Sequence, residues 1–205
     1  DSYMYQTVGS EGVKAIAEAM DVPLYTKKIQ GKPLLLSSEY EETKDDEVED
    51  LFELLTTVKE KHPNLKGVSA GAILSSYQKV RVDNVCTRLH LTPICYLWQR
   101  DQQQLLREMI ENGVHAIVIK VAAVGLNEKH LGKTLQEMET TLVSLRDKYG
   151  VHPCGEGGEF ETFVLDSPIF HKSIKIDRSE VIVHNEDDVA PVAYLHLSQL
   201  SLKDK

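Results

Sequence analysis

The chain has 205 residues, 41% hydrophobic and 27% charged, a composition that supports one sizeable domain or two small ones with a buried core. Its formal net charge of -9 argues against broad binding to nucleic acid or anionic lipid by bulk electrostatics. The 3 cysteines are widely spaced and form no C-x-x-C pair, which favours a reducing compartment over a disulfide framework. A cytoplasmic location is therefore predicted, and no apolar run approaches the length of a membrane span.

The first half of the chain predicts alternating helices and strands. Residues 10–20 carry apolar side chains at helical spacing, and a strand-like segment, LYTKKIQ, follows Pro23. An acidic loop leads into a second helix, whose apolar stripe runs from Val48 to Val58. KGVSAGAI, starting at Lys66, predicts a short strand and a tight loop before a third helix.

The second half predicts a buried strand, a strongly signalled helix and a β-rich end. Asp101 can cap a helix over residues 102–112, and HAIVIKVAAV is a nearly continuous apolar run, as expected for a strand buried on both faces of a parallel sheet. Thr134 and Glu137 form a capping box at the start of the next helix. Short alternating runs after residue 160 indicate antiparallel strands. The order of elements predicts the α/β class.

Residues 155–162, GEGGEFET, contain three carboxylates and three glycines but no basic residue. Glu156, Glu159 and Glu161 repel one another at short range, so a loop that holds them together favours a cation between them: a metal ion, ammonium or a cationic substrate. If Glu159 and Glu161 lie in an extended segment, their side chains share one face and Phe160 lies opposite. The glycines would let a ligand approach the backbone closely. A polar glycine turn entering a strand is the open alternative.

Three other segments contain candidate site residues. The loop over residues 68–78 runs from a strand end into a helix, where ligands bind in open α/β sheets, although its spacing alone is more typical of a packing turn. His152, Cys154 and Glu156 match part of the zinc-deaminase pattern, but a glycine occupies the position of its second cysteine, so metal ligation is not predicted. Trp98 lies at the junction of the two halves, where clefts often bind ligands, although a lone tryptophan is more often a core residue.

Several segments together resemble the diphthine–ammonia ligase family: GAILSSYQKVRVDNVCTRL, YLWQR, VAAVGL, KYGVHPCGEGGEFETFVLDSP and APVAYL. GEGGEFETFVLD is specific for that family, whereas the other segments are weaker singly but occur in the right order. The resemblance implies a truncated Rossmann-like α/β domain of the adenine nucleotide α-hydrolase type over residues 1–97. A smaller α+β substrate-recognition domain would follow over residues 98–205, with the active cleft between the two.

The same resemblance implies an ATP-dependent amidation of diphthine to diphthamide on translation elongation factor two. Ammonia would be the nitrogen donor, ATP would act with Mg²⁺, AMP and pyrophosphate would be the products, and neither nucleic acid nor membrane would be a direct partner. Diphthine carries a trimethylammonium group, which favours carboxylates and an aromatic face. No catalytic residue is assigned. The residues expected to border the nucleotide are Gly71, Ala72, Ile73, Tyr77 and Gln78. The residues expected to bind the substrate are Glu156, Gly157, Gly158, Glu159, Phe160, Glu161 and Trp98.

One departure from the family pattern affects the expected activity. Members begin with a strand and a pyrophosphate-binding loop of the S-G-G-x-D-S type, and this pattern does not occur in the 205 residues. The sequence therefore predicts a chain without the first strands of the nucleotide domain, inactive by itself. One alternative is a shortened product that binds the elongation factor or a nucleotide without ligation. A weaker alternative is a metal-dependent deaminase or amidohydrolase built on HPCGE.

Overall fold

The computed structural model of the chain describes residues 2–185 and 189–205. The helices are α1 (Val13–Met20), α2 (Glu47–Lys61), α3 (Ser76–Arg88), α4 (Gln102–Glu111) and α5 (Leu135–Tyr149). The strands are β1 (Gly67–Ser69), β2 (Thr92–Ile94), β3 (His115–Val121), β4 (Phe160–Asp166), β5 (Lys172–Asn185) and β6 (Val192–Asp204). Short 3₁₀ turns occupy Ser10–Gly12, Glu128–His130 and Glu156–Gly158. Within the described ranges, none of the helices has the length and apolar character needed to span a membrane.

The chain forms two compact units that do not follow simple sequence order. The first unit contains the residues up to Tyr5 together with Tyr25–Gln99, and the second contains Gln6–Leu24 together with Arg100–Lys205. Helix α1 therefore packs with the C-terminal half of the chain, where its Ala19 is fully buried in a core that includes Ile119. The predicted domain division between residues 97 and 98 stays a prediction.

The first unit is built on a small parallel sheet. Strands β1 and β2 pair in parallel, with Ser69 opposite Ile94. Helix α2 begins at Glu47, because the Asp46 side chain caps it by accepting a hydrogen bond from the Val48 backbone N–H at 3.0 Å. The helices α2 and α3 contribute Val48 and Val85 to one apolar core. The predicted order of helix, strand, loop and helix is thus confirmed for residues 47–88.

The predicted strand over LYTKKIQ is wrong. Residues 22–31 form no strand, and Lys32 forms only an isolated bridge with Asp46. The backbone N–H groups of Gln30 and Gly31 each donate to the Asp50 carboxylate at 2.8 Å. A carboxylate on α2 thus satisfies backbone groups that a neighbouring strand would otherwise bind, which local β propensity cannot reveal.

The second unit contains a four-stranded sheet in the order β4-β3-β6-β5, and its neighbouring strands are antiparallel. The central strand β3 has helices over both faces. Its Val118 lies in one core cluster with Leu106 of α4 and Met138 of α5, whereas its Ile119 lies in another cluster with Ala19 of α1. These two clusters fill the layers between the sheet and the helices.

The prediction that HAIVIKVAAV belongs to a parallel sheet is wrong, although its burial on both faces is confirmed. A continuous apolar run indicates that both faces of the strand are buried, and helices can cover both faces of an antiparallel sheet as well as those of a parallel one. The predicted antiparallel strands near the end of the chain are confirmed, and the runs KSIKI and EVIVH form one long strand, β5. The α/β class with one parallel and one antiparallel sheet follows from both units.

Local signals set the ends of the remaining helices. The Asp101 carboxylate accepts a hydrogen bond from the Gln104 N–H at 2.8 Å at the start of α4. Thr134 and Glu137 form the predicted capping box of α5, and Gly150 ends that helix in the left-handed conformation at φ 77°. The segment that contains Glu156, Glu159 and Glu161 begins directly after the Gly150 cap.

Candidate substrate-binding site

The three glutamates lie in the connection between α5 and β4 and at the start of β4, which we call the glutamate loop (residues 151–161). Gly155 has φ 73°, which opens a 3₁₀ turn over Glu156–Gly158. Glu159 has helical dihedral angles, φ -58° and ψ -36°, and β4 begins only at Phe160. The extended geometry on which a shared face for Glu159 and Glu161 depended is therefore not formed.

Glu161 has a cationic partner from another strand. Lys120 lies opposite it on β3, and the Lys120 Nζ is 2.7 Å from the Glu161 Oε1. The pair is largely buried, with side-chain exposures of 24% for Lys120 and 12% for Glu161. Among the described residues, the other oxygen, Oε2, is buried without a hydrogen-bond partner. Glu161 therefore has a cation from the protein itself, although GEGGEFET contains no basic residue.

Glu156 and Glu159 both contact His152. The backbone N–H of His152 donates to the Glu159 Oε2 at 2.5 Å, and the His152 Nε2 lies 3.5 Å from the Glu156 Oε2. Burial lowers the pKa of the His152 ring, while the negative charges of Glu156 and Glu159 oppose that shift. The ring is therefore neutral near pH 7, and the structure brings two of the predicted glutamates together around one histidine.

The glycines of this loop have unequal surroundings. A Cβ at Gly155 would meet the Phe160 carbonyl oxygen at 2.4 Å, so only glycine fits there. A Cβ at Gly157 would meet nothing within 4 Å, and one at Gly158 would lie 4.0 Å from the Lys120 Nζ. The backbone at Gly157 and Gly158 is thus open to close approach by a ligand, whereas Gly155 is required by packing.

The two aromatic candidates differ in exposure. Phe160 is only 2% exposed and lies in the apolar core with Met138 and Val121, so its ring packs inside the second unit. Trp98 belongs to the first unit and is half-buried, with the Lys79 Nζ 5.9 Å from its ring centroid. A substrate-facing role for either ring stays a prediction, and burial favours a packing role for Phe160.

The candidate nucleotide loop follows β1 at the carboxyl ends of the parallel strands. The Ala70 N–H donates to the Ile94 carbonyl at 3.1 Å, and the Gln99 N–H donates to the Ile73 carbonyl at 2.7 Å. Ala72 and Ile73 are buried, whereas a Cβ at Gly71 would meet nothing within 4 Å. Ligands bind at this edge of open α/β sheets, and the backbone at Gly71 is open to one.

Tyr77 and Gln78 make contacts within the first unit. The Gln78 Nε2 donates to the Met4 carbonyl at 3.1 Å. The guanidinium of Arg81 lies 3.4 Å from the centroid of the Tyr77 ring, and burial raises the pKa of the Tyr77 hydroxyl. These side chains position α3, and their predicted role at the nucleotide stays a prediction.

The HPCGE segment does not present its side chains as metal ligands. The His152 Nδ1 accepts hydrogen bonds from the N–H groups of Cys154 and Glu156 at 3.1 and 3.4 Å. The Cys154 thiol donates to the Gln102 carbonyl at 3.3 Å, and burial together with nearby carboxylates raises the pKa of Cys154 to about 11. In the part of the chain that the structure describes, no group of three or more His, Cys, Asp or Glu side chains has a metal-binding arrangement.

Comparison with known protein families accounts for both halves of the chain. Residues 1–93 match the diphthamide synthase N-terminal domain, and residues 101–193 match the diphthamide synthase C-terminal domain. The chain belongs to the diphthamide synthase family. The N-terminal domain of this family is of the adenine nucleotide α-hydrolase type, in agreement with the predicted fold class. The glutamate loop lies within the matched C-terminal domain.

Three relatives show how far the similarity to this family extends. The diphthine–ammonia ligase of Rattus norvegicus is 59% identical over 206 residues, which cover 100% of this chain and 77% of the relative. The diphthine–ammonia ligase of Homo sapiens is 57% identical with the same coverage. The diphthine–ammonia ligase of Schizosaccharomyces pombe is 48% identical over 205 residues. These residues cover 100% of this chain but only 33% of the relative, which is therefore much longer than this chain.

Sequence reasoning missed two residues of the diphthamide synthase C-terminal domain. Lys120 is the only charged residue inside the apolar run HAIVIKVAAV, and a lysine in a buried strand indicates a buried partner. His152 was considered only as a metal ligand, although its position in a glycine-rich loop also allowed a role in binding backbone N–H groups. Both signals were present, but neither identified which glutamate each residue contacts.

Proposed function

We propose that this protein catalyses the ATP-dependent amidation of diphthine to diphthamide, with ammonia as the nitrogen donor. The observation that carries this proposal is the match of both domains of one family, supported by 59% identity over the whole chain to a relative named diphthine–ammonia ligase. ATP supplies the activation that a carboxylate needs before ammonia can form an amide, and the products are the amide, AMP and pyrophosphate.

The glutamate loop is proposed to bind the cationic part of the substrate or ammonium. Glu159 is held by the His152 N–H and Glu161 by Lys120, and the Glu156 carboxylate lies 3.5 Å from the His152 ring. Each carboxylate has several acceptor positions, and one bond to the protein leaves capacity for a ligand. The open backbone at Gly157 and Gly158 supports close approach of the trimethylammonium group.

The first unit is proposed to border ATP through the loop that follows β1. Gly71 would allow the phosphates or ribose to approach the backbone, and Ala72 and Ile73 would give that loop its fixed conformation. Mg²⁺ is proposed to accompany ATP, because it binds phosphate oxygens with few protein ligands. Tyr77 and Gln78 would hold the helix that follows the loop.

The protein substrate is proposed to be translation elongation factor two that carries diphthine, and the reaction is proposed to take place in the cytoplasm. The alternative of a binding module for the elongation factor makes a different prediction, because such a module binds the factor but forms no AMP. The two functions are therefore separated by product formation and not by binding.

The test uses the complete protein that contains this chain, elongation factor two carrying diphthine, ATP, Mg²⁺ and ammonium chloride. We expect AMP to form only when all substrates are present, and the mass of the elongation factor to change from the acid to the amide. Glu159→Gln should raise the KM for the elongation factor about tenfold or more, since a lost contact with a charged group costs about 1.5–3 kcal/mol.

Glu139→Gln is the matched control, because Glu139 is a carboxylate on α5 that pairs with Arg107 outside the glutamate loop. Its KM should equal that of the unaltered protein. Binding of the elongation factor without AMP or amide would refute the ligase proposal. An unchanged KM for Glu159→Gln would remove Glu159 from substrate binding while leaving the ligase activity in place.

A further inference from the structure

His152 contacts the glutamate loop through both its backbone and its ring. Its backbone N–H donates to the Glu159 carboxylate, and its Nδ1 accepts from the backbone N–H groups of Cys154 and Glu156. The opposite ring nitrogen, Nε2, lies 3.5 Å from the Glu156 carboxylate. One residue thus restrains the turn and the Glu159 carboxylate, and its ring lies next to the Glu156 carboxylate.

These contacts determine which ring nitrogen carries the proton. A nitrogen that accepts from two N–H groups must present its lone pair, so Nδ1 is unprotonated. The neutral ring therefore carries its proton on Nε2, the nitrogen that faces Glu156. Burial keeps the ring neutral by lowering its pKa. The Nε2–H group lies 3.5 Å from the Glu156 carboxylate and, among the described residues, donates no hydrogen bond.

We propose that His152 is a positioning residue that preforms the glutamate loop for its cationic ligand, an inference that rests on the function proposed above. The ring holds the turn closed through Nδ1, which fixes the backbone from which Glu156 projects. The backbone N–H of the same residue orients Glu159. The ligand class is a quaternary ammonium group or ammonium, which the oriented carboxylates recognise by charge.

A restraint of this kind is needed because of the composition of the loop. Gly155, Gly157 and Gly158 all have positive φ, and glycine loses more conformational freedom on ordering than other residues. Glu156 and Glu159 also repel each other. Without the histidine contacts, ligand binding would have to order the glycines and bring the carboxylates together, and the affinity would fall accordingly.

The same contacts argue against a role for His152 as a general base. The lone pair of Nδ1 is directed at the two backbone N–H groups, and Nε2 already carries the proton. Neither nitrogen can take a proton from ammonium while the turn is closed. His152 therefore acts on the reaction through Glu156 and Glu159, and its replacement should affect substrate binding more than the rate of the bound complex.

Three variants separate the two ring nitrogens. His152→Asn places an amide oxygen close to the position of Nδ1, so it keeps the acceptor for the turn and loses the Nε2–H group. His152→Gln does the opposite, and His152→Ala loses both. We expect His152→Ala and His152→Gln to raise the KM for the diphthine-bearing factor by about 10-fold to 100-fold. His152→Asn should keep the KM for the diphthine-bearing factor close to that of the unaltered protein. In all three variants, kcat and the KM for ATP should change little.

A matched control is His130, whose Nδ1 accepts from the Asn127 N–H at 3.1 Å in a turn outside the glutamate loop. His130→Ala removes a similar ring-to-backbone bond, and it should lower thermal stability without changing the KM for the diphthine-bearing factor. Equal effects of the His130 and His152 variants on that KM would overturn the positioning role.

Nitrogen-15 NMR of the unaltered protein tests the tautomer directly and requires neither activity nor a variant that folds. We expect the His152 ring to show an unprotonated Nδ1 and a protonated Nε2 at pH 7.5. The reverse tautomer would overturn the inference even if the protein were an active ligase. Absence of AMP formation by the unaltered protein would refute the proposed function, whereas the NMR result would still decide whether His152 closes the loop.

Discussion

Replacing Lys120 with methionine should destabilise the second unit through a single lost charge. Methionine keeps most of the apolar stem of lysine and removes the ammonium group that lies 2.7 Å from Glu161. The Glu161 carboxylate would then be left in a largely buried position without its cation, and among the described residues its Oε2 already has no hydrogen-bond partner. The variant therefore isolates the electrostatic role of Lys120 from its packing.

The expected loss follows from the burial of the pair. Removing one partner of a fully buried ion pair costs about 3–5 kcal/mol of unfolding free energy, because the remaining charge is desolvated without compensation. Lys120 keeps 24% of its side chain exposed, and Glu161 keeps 12%, so water can reach the site in part. We therefore expect a loss of about 2–3 kcal/mol for Lys120→Met.

The assay is urea unfolding followed by circular dichroism, with hydrogen exchange of the β3 and β4 amides as a local measure. Glu161→Gln and the double variant complete a cycle, and the double variant should be more stable than the sum of the single losses predicts. Lys172→Met is the control, since Lys172 pairs with Asp204 in an exposed position and should cost less than about 1 kcal/mol. Equal losses for Lys120→Met and Lys172→Met, with no coupling in the cycle, would refute the role of the buried pair.

Three further predictions concern other parts of the chain. In urea unfolding, Gly155→Ala should destabilise the second unit by about 2 kcal/mol more than Gly157→Ala. A Cβ at position 155 would meet a backbone oxygen at 2.4 Å, whereas one at position 157 would meet nothing within 4 Å, and equal losses would contradict this geometry. Arg81→Met should lower the unfolding free energy of the first unit by about 2–4 kcal/mol, because the Arg81 side chain is fully buried and donates to three backbone carbonyls. The fluorescence of Trp98 would monitor this unfolding, and a loss under about 1 kcal/mol would contradict the prediction. Burial raises the pKa of Cys154 from 9.0 to about 11, so the thiol ionises at lower pH in the unfolded chain than in the folded one. The contribution of Cys154 to stability should therefore be complete below pH 9 and should be lost as the pH rises to about 11. Unfolding curves measured across that range should lack this pH dependence in Cys154→Ala.

Local signals predicted the helices well because helix formation depends on residues within a few positions of one another. The capping box of Thr134 and Glu137 and the cap at Asp101 lie where the sequence placed them. The apolar stripe of α2 is likewise a local pattern. Each of these features involves partners three or four residues apart, so the amino-acid order contains the needed information.

Pairings between distant residues could not be obtained in this way. The run HAIVIKVAAV reported burial on both faces but not the antiparallel direction of β3. LYTKKIQ has β propensity, yet the N–H groups of Gln30, at its end, and of the next residue, Gly31, donate to Asp50 on a helix. Strand direction and partner choice depend on the whole sheet, which no short segment specifies.

The candidate site shows the same division. The sequence by itself determined the family resemblance, the carboxylates of GEGGEFET and the glycines that let this loop turn. Only the tertiary structure decided that Lys120, 41 residues away, neutralises Glu161, that the His152 N–H holds Glu159, and that Gln6–Leu24 packs with the C-terminal half. The physical reason is that charge pairing and burial depend on distances in space, whereas helix caps and turns depend on distances along the chain.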